Sequence, residues 1–252
     1  MKTILWGNYW QTNSIEKEPI EWIVLKEEND KMCVISKYCL DCVPYCKTGE
    51  TFIWKNSYVR KWLNKVFIND AFSKEEQKRI ILSEVKTNRY GWNSTPKFDN
   101  LSPLDTSTVK DRVFLLSRSE SCLFFDSDVW YDVLADQKRI AEPTVYAYKR
   151  GCWIYPLKKR PIKEKDTFNF YKEDMGQSLD EIEEYWEFED SASCYAKDNT
   201  YQTNIYQIQW ACAWYLRSPG FETERVAPNG TLRRFSNSDN GTAIRPAMWI
   251  KK

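Results

Sequence analysis

This chain of 252 residues contains no histidine. The absence excludes general acid–base catalysis by imidazole and every metal site built on imidazole ligands. It also excludes the Ser-His-Asp and Cys-His schemes of nucleophilic catalysis. An enzyme built on this chain would have to use carboxylates, lysine, tyrosine or cysteine.

The chain also lacks a large net charge and a long apolar run. Its 37 Lys and Arg residues stand against 36 Asp and Glu residues, a formal net charge of +1. Such a balance gives no global field to attract nucleic acid, so we predict no nucleic-acid partner. The chain contains no run of about 20 apolar residues, so we predict no membrane insertion. Residues 1–7 show no signal-peptide pattern, which favours a cytoplasmic or virion-associated protein.

Eight cysteines are present. Without a secretion signal they are expected to be thiols rather than disulfides. Cys39, Cys42 and Cys46 form a C-x2-C-x3-C cluster, which is one candidate for a thiolate metal site. A structural zinc site usually has four ligands in two well-spaced pairs, and this cluster supplies only three. The alternative interpretation is that the three cysteines are buried thiols without a metal. We predict no bound metal and no cofactor.

The first half of the chain mixes strand and helix signals. Aromatic residues make up 15% of the chain. Residues 4–10, 19–25 and 32–36 are aromatic or β-branched runs, and the last two predict a hairpin. Ser57 is placed to cap one helix, and Ser73 with Glu76 forms a capping-box pattern for another.

Residues 156–209 change in character and are interpreted as an insertion. Ser178 could cap a helix over residues 179–186, which carries several carboxylates, among them Glu181, Glu183 and Glu184, with Glu187 just beyond it. Two interpretations stay open. The carboxylates could form a catalytic or cation-binding cluster, or they could simply be the solvated face of a helix.

The terminal region, residues 210–252, is the most informative stretch. Apolar, aromatic flanks, WYLRSPG at 214–220 and IRPAMWI at 244–250, enclose a polar interval at residues 221–242. Asn229-Gly230 and Asn240-Gly241 are turn signals, and Asn-Gly between extended runs predicts a hairpin. Because loops on a rigid scaffold often carry recognition, we predict that the flanks form a frame and that residues 221–242 form a binding surface.

With these flanks in place, the motifs of the chain resemble those of a bacterial and phage family of domains of unknown function. The matching segments are WGNYWQ at 6–11, PIEWIVL at 19–25, SKYCLD at 36–41, WKNSYVRKWLN at 54–64 and the two terminal flanks. The resemblance implies an α+β, C-type-lectin-like fold, similar to that of formylglycine-generating enzymes. It should have twisted antiparallel sheets and two or more flanking helices. Residues 1–252 would then form a single domain, with residues 214–250 as its terminal ligand-displaying segment.

The same fold is found in the variable proteins of diversity-generating retroelements, whose C-terminal segment supplies the ligand surface. The resemblance does not imply catalysis, because the related enzymes use a copper-binding cysteine pair or histidine ligands, and only Cys212 lies in the terminal region. We therefore predict a non-catalytic binding protein, either a retroelement variable protein or a fixed relative. Its partner would be a protein or a glycan.

The predicted binding residues combine arginine and an aromatic ring with adaptable polar side chains, a mixture typical of recognition surfaces. They are Arg225, Asn229, Thr231, Arg233, Arg234, Phe235, Asn237, Ser238, Asp239 and Asn240. Arg217 and Arg245, at the two ends of the frame, are interpreted as structural, because guanidinium groups often tie loops together. Two other functions stay open: an enzyme using cysteine or carboxylate chemistry, and a structural phage or surface module. The oligomeric state also stays open.

Overall fold

The computed structural model describes residues 1–47, 52–87, 108–125, 137–161, 184–188, 209–217, 219–220, 222–235 and 241–252. These residues form a mixed α/β structure with antiparallel sheets and few helices, in agreement with the predicted α+β class. The strands are β1 (Thr3–Trp10), β2 (Lys17–Glu27), β3 (Lys31–Ser36), β4 (Phe52–Ile53), β5 (Ser83–Lys86), β6 (Thr108–Asp111), β7 (Val113–Phe114), β8 (Tyr155–Pro161), β9 (Glu184–Phe188), β10 (Gln209–Ala211), β11 (Trp214–Tyr215), β12 (Pro219–Gly220), β13 (Thr223–Val226), β14 (Leu232–Phe235) and β15 (Ala247–Lys251).

The main sheet has five strands in the order β1-β2-β3-β15-β7, each pair antiparallel. The predicted hairpin between β2 and β3 is confirmed, with Trp22 opposite Ser36 and Val24 opposite Val34. The C-terminal strand β15 lies between β3 and β7, so the last residues of the chain are inside the sheet that the first residues begin.

The smaller sheets are also antiparallel. Strands β11, β13 and β14 form one sheet in the order β11-β13-β14, and β8, β9 and β10 form another in the order β10-β8-β9. Strand β4 pairs with β12, and β5 pairs with β6. The predicted helix over residues 179–186 is wrong at its C-terminal end, because residues 184–186 belong to strand β9. Aromatic residues such as Tyr185 and Trp186 favour a pleated strand over a helix.

The helices are short: α1 (Tyr58–Trp62), α2 (Ile68–Ala71), α3 (Lys74–Arg79), α4 (Arg118–Leu123) and α5 (Val145–Lys149). A π-helical turn, Leu63–Phe67, joins α1 to α2, and 3₁₀ turns lie at Trp54–Asn56 and Gln137–Arg139. The predicted caps are confirmed, since the Ser57 side chain accepts from the Arg60 N–H and Ser73 forms a capping box with Glu76. Among the described residues, no helix is long and apolar enough to cross a membrane.

The core lies between the main sheet and the helices. Trp22 of β2 is fully buried and packs near Phe72, while Leu63 and Phe67 of the π-helical turn are fully buried in the same cluster. On the C-terminal side, Trp214 of β11 is also fully buried. The core is therefore rich in aromatic side chains, as the composition indicates.

Candidate functional site

Arg217 is fully buried at the first end of the predicted frame. Its guanidinium group donates to the backbone carbonyls of Leu115 and Lys86 and to Glu120 Oε2, the last at 2.7 Å. Glu120 also belongs to the capping box of α4, where its carboxylate accepts from the Ser117 N–H. Arg217 therefore fastens the terminal segment to β5 and α4, which agrees with its structural interpretation.

Arg245 occupies the other end of the frame in a similar way. Its side chain is 1% exposed, and its Nε donates to the Ser36 carbonyl at 2.9 Å. The guanidinium group also lies over the Trp214 ring, 5.0 Å from the ring centre. Burial lowers the pKa of Arg245. Since its donors are directed at the backbone of β3 and the following residues, Arg245 holds the terminal segment against the main sheet.

Between these two arginines, β13 and β14 form the hairpin that Asn229-Gly230 predicts. Gly230 adopts a φ of 86°, a left-handed conformation that glycine accepts at little cost. The turn is closed by the Ala227 N–H, which donates to the Thr231 carbonyl at 2.7 Å. Its tip does not project freely, because the buried Arg139 side chain donates to the Gly230 carbonyl at 2.9 Å. The turn is thus fixed to the body of the protein.

The described part of the interval exposes less surface than the sequence suggested. Residues 223–228 and 230–232 are buried, Asn229 is half-buried, and Arg233 is exposed. Arg225 and Thr231 were both predicted to contact the ligand, yet they are 5% and 2% exposed. The physical reason is position: Arg225 lies on β13, the middle strand of its sheet, and Thr231 lies in the turn that is fixed to the body. Arg225 Nη1 donates to the Thr242 hydroxyl at 2.7 Å, within the body.

The remaining predicted binding residues lie at or beyond the end of the hairpin. Arg234 and Phe235 belong to the backbone of β14, opposite Glu224 and Thr223, and their side chains lie outside the described part of the structure. Asn237, Ser238, Asp239 and Asn240 lie outside the described residues altogether. Whether any of these residues binds a ligand stays a prediction.

The chain is anchored again directly after this segment. The Gly241 carbonyl accepts from the Trp153 N–H at 2.9 Å. A Cβ atom at position 241 would lie 2.3 Å from the Trp153 ring, so the close approach requires glycine. We call residues 233–240 the display segment. It begins within β14, and Gly241 follows it directly.

The cysteine cluster does not form a metal site in the described part of the chain. Cys39, Cys42 and Cys46 are all buried, and no group of three or more histidine, cysteine or acidic residues there could hold a metal ion. Cys212 is fully buried, and burial together with hydrogen bonding to Cys152 and Cys39 raises the pKa of its thiol. A protonated, buried thiol is a poor nucleophile. Of the acidic residues in the insertion, Glu184 and Glu187 lie on β9, while Glu181 and Glu183 lie outside the described residues.

Two polar clusters were not anticipated from the sequence. In the first, the Asp111 carboxylate is 2% exposed and accepts from Trp54 Nε1 at 3.0 Å and from Arg60 Nε at 2.8 Å. Asn64, one turn further along, binds the backbone of β7 and of Arg112, just before it, through both ends of its amide. The polar positions of the segment at 54–64 thus join a helix to β6 and β7. Sequence motifs mark these residues but give no indication of their partner, Asp111.

The second cluster surrounds Asp41. The Tyr9 hydroxyl donates to Asp41 Oδ2 at 2.6 Å, and Arg150 Nε donates to Oδ1 at 3.1 Å. Burial and the neighbouring Asp41 raise the pKa of Tyr9, so its phenol stays protonated and acts as the donor. This cluster connects β1 to α5 through the residue that ends the SKYCLD segment.

We expect Tyr9→Phe to lower the free energy of unfolding by about 1.5–3 kcal/mol, because it removes a hydrogen bond to a buried carboxylate. The ring and its packing are kept, so the change isolates the hydroxyl group. Tyr146→Phe is the matched control, since Tyr146 lies in the same aromatic group but is only half-buried. Urea denaturation compares the two variants. Equal midpoints for Tyr9→Phe and Tyr146→Phe would contradict the role given to the Tyr9 hydroxyl.

The sequence profile of a domain of unknown function, DUF6273, matches residues 29–252. The match covers most of the chain, and the protein belongs to this family. The chain has no match among curated proteins or among solved structures.

Proposed function

We propose that this member of the DUF6273 family is a non-catalytic ligand-binding protein, whose ligand contacts the display segment, residues 233–240. One observation carries the proposal. Arg217 and Arg245 of the flanking motifs are buried and hydrogen-bonded within the body, whereas Arg233 at the start of the segment is exposed. Residues occupied in this way are not available to a ligand. Arg233, which lies between them in the chain, is available.

We further propose that the fold is C-type-lectin-like and that the protein is a variable protein of a diversity-generating retroelement or a fixed relative of one. The order of the motifs supports this proposal, as does the position of β15 inside the main sheet, between β3 and β7. A reverse transcriptase gene beside a near-copy of the sequence encoding residues 214–250 would support diversification. Its absence would favour the fixed relative.

The ligand class that suits this segment is a protein or a glycan surface. Its sequence combines Arg233, Arg234 and Phe235 with Asn237, Ser238 and Asn240. Arginine and aromatic residues commonly dominate binding energy, while asparagine and serine adapt their hydrogen bonds to different partners. A segment held at both ends loses less conformational entropy on binding than a free loop.

An enzyme that uses cysteine has less support. Burial raises the pKa of Cys33, Cys122 and Cys212, which leaves each as a thiol at neutral pH. Metal analysis of the purified protein tests the metal-dependent version of this alternative. A stoichiometric transition metal would favour the enzyme over the binding protein.

The proposed function is tested by probing arrays of defined glycans and of purified bacterial surface proteins with the wild-type chain. The same arrays are probed with the variant R233A/R234A/F235A. We expect the wild-type chain to retain at least one ligand whose signal falls at least tenfold in the variant. An identical set of signals for both proteins would overturn the assignment of the binding surface to the display segment.

A further inference from the structure

Arg150, at the end of α5, differs from the two arginines of the frame. Arg217 and Arg245 are buried, and their guanidinium groups donate to the body of the protein. The side chain of Arg150 is 48% exposed, and its Nε donates to Asp41 Oδ1. Among the described residues, neither Nη1 nor Nη2 of Arg150 has a hydrogen-bond partner. These N–H donors of its guanidinium group are therefore left for a ligand.

A buried carboxylate fixes the orientation of this guanidinium group. Asp41 is 2% exposed, and its Oδ1 also accepts from the Cys42 N–H at 2.6 Å. Its Oδ2 accepts from the Tyr9 hydroxyl at 2.6 Å. Because Asp41 is held through both oxygens, Nε of Arg150 is bound to a rigid point. A side chain that is oriented before binding loses less conformational entropy when a ligand arrives.

Arg150 lies near the residues that follow the display segment. Three residues further along the chain, the Trp153 N–H donates to the carbonyl of Gly241. An extended chain of this length spans at most about 11 Å, which limits the distance between the Arg150 and Trp153 backbones. Asp41, which holds Arg150, forms a bridge with Ile244, whose N–H donates to the Asp41 carbonyl at 2.8 Å. Both connections bring Arg150 close to the end of the display segment.

The surroundings of Arg150 include open space and an aromatic ring. Gly151 is exposed, and a Cβ atom placed there would meet no described atom within 4 Å. The ring of Trp153 packs against Gly241, and this tryptophan is only half-buried. Arginine and tryptophan are among the residues that most often dominate binding energy. Segment 150–153 therefore carries side chains suited to ligand contact beside Gly241.

We infer that the ligand of the display segment is an acidic glycan and that Arg150 binds the carboxylate of one of its sugars. The inference rests on the proposed function, because it names the chemistry of the same ligand. Guanidinium groups bind carboxylates through two parallel N–H···O bonds, and Nη1 and Nη2 of Arg150 form an edge with this geometry. Sequence motifs do not mark Arg150 for this role, because its orientation depends on Asp41, 109 residues away.

A sugar carboxylate suits these surroundings better than the acidic side chains of a protein. Asp41 offsets the charge of Arg150, so little net positive charge is left to attract a polyanionic peptide from a distance. In a sialic or uronic acid the carboxylate is bonded directly to a sugar ring, whereas a glutamate side chain must lose rotamer freedom on binding. The apolar face of a sugar ring can also pack against an indole such as that of Trp153.

The test measures the fluorescence anisotropy of labelled trisaccharides with the full-length protein. The acidic probes are 3′-sialyllactose and trigalacturonic acid, and their methyl esters keep the sugar rings but remove the charge. We expect the wild-type chain to bind at least one acid and to bind its methyl ester at least about tenfold more weakly. R150Q should bind that acid at least about tenfold more weakly than the wild-type chain, because the charge-assisted pair is lost.

The matched control is K149Q, because Lys149 is an exposed cation directly beside Arg150 in the chain. It removes the same charge but keeps the oriented donors, so its affinity should stay within about threefold of the wild-type value. R150K keeps a cation beside Asp41 and so protects the fold. It should still lose about fivefold in affinity, because an ammonium group lacks the planar pair of donors. Thermal unfolding verifies the fold of each variant.

Equal affinities of R150Q and K149Q for the acid would overturn the inference, as would equal binding of the acid and its methyl ester. A wild-type chain that binds neither acid would also overturn it, and so would one that binds a labelled hexaglutamate peptide instead of the acids. The variant R233A/R234A/F235A separates this inference from the proposed function. A ligand that is lost in that variant but kept in R150Q would leave the proposed function standing and remove the role of Arg150.

Discussion

Arg217→Ala is expected to lower the free energy of unfolding by about 3–5 kcal/mol, because it removes a fully buried, hydrogen-bonded charge. The change leaves the Leu115 carbonyl without its guanidinium donor and the Glu120 carboxylate without its cation. It also opens a cavity beside Phe114, over whose ring the guanidinium group lies. Urea denaturation at constant ionic strength measures the effect as a lower midpoint.

Arg233→Ala is the matched control for Arg217→Ala. Both changes remove an arginine from the same terminal segment, but Arg233 is exposed and makes no ion pair among the described residues. Its urea midpoint should therefore stay at the wild-type value. Arg217→Lys should recover only part of the loss, because an ammonium group cannot reach three acceptors with the planar geometry of guanidinium. Equal midpoints for the alanine variants at 217 and 233 would contradict the structural role of Arg217.

Asp111→Ala is expected to destabilise the protein by about 3 kcal/mol or more, since it leaves two donors without their acceptor. Trp54 Nε1 is buried with its side chain, and Arg60 is only partly exposed to solvent. The substitution also releases α1 from β6, because the Asp111 carboxylate accepts from Arg60 of α1. A double-mutant cycle with Arg60→Met measures how much of the loss belongs to the Asp111–Arg60 pair.

Glu84→Gln provides the comparison for Asp111→Ala. Glu84 is an exposed carboxylate on the neighbouring strand β5, opposite Lys110. Removing its charge should change the urea midpoint little, because exposed charges contribute little to stability. If Asp111→Ala were as well tolerated as Glu84→Gln, the polar cluster around Asp111 would not hold the helix to the sheet.

The features that the sequence predicted correctly depend on neighbours in the chain. The β2–β3 hairpin follows from two β-branched runs separated by a charged turn, and the cap at Ser57 follows from residues one turn apart. The Asn229-Gly230 turn is equally local. In each case the residues that determine the structure lie close together in the chain, so their pattern can be recognised without knowing the fold.

The features that the sequence did not predict depend on distant partners. The residues of β13 are mostly polar, and polarity alone suggests exposure, but Glu224 and Arg225 are buried on this strand, which lies between β11 and β14. In the same way, the pairing of Arg60 with Asp111 joins segments that are far apart in the chain. The extended conformation of Glu184–Phe188 was missed because a capping serine and acidic residues suggested a helix.

The sequence therefore predicted only part of the candidate site. Its flanks were interpreted as structural, and the burial of Arg217 and Arg245 agrees with that interpretation. The interval between them was treated as one surface, whereas the structure divides it into a buried strand and turn, followed by the display segment. This division shifts the emphasis from Arg225 and Thr231 to Arg233 and the residues after it.

The most direct test of this division is the affinity of an array-identified ligand for the wild-type chain and for R233A/R234A/F235A, measured by isothermal titration beside a urea denaturation of each protein. The account predicts that the variant keeps most of the wild-type stability and loses at least tenfold in affinity, equivalent to about 1.4 kcal/mol. An unchanged affinity in a stably folded variant would contradict the assignment of ligand binding to the display segment.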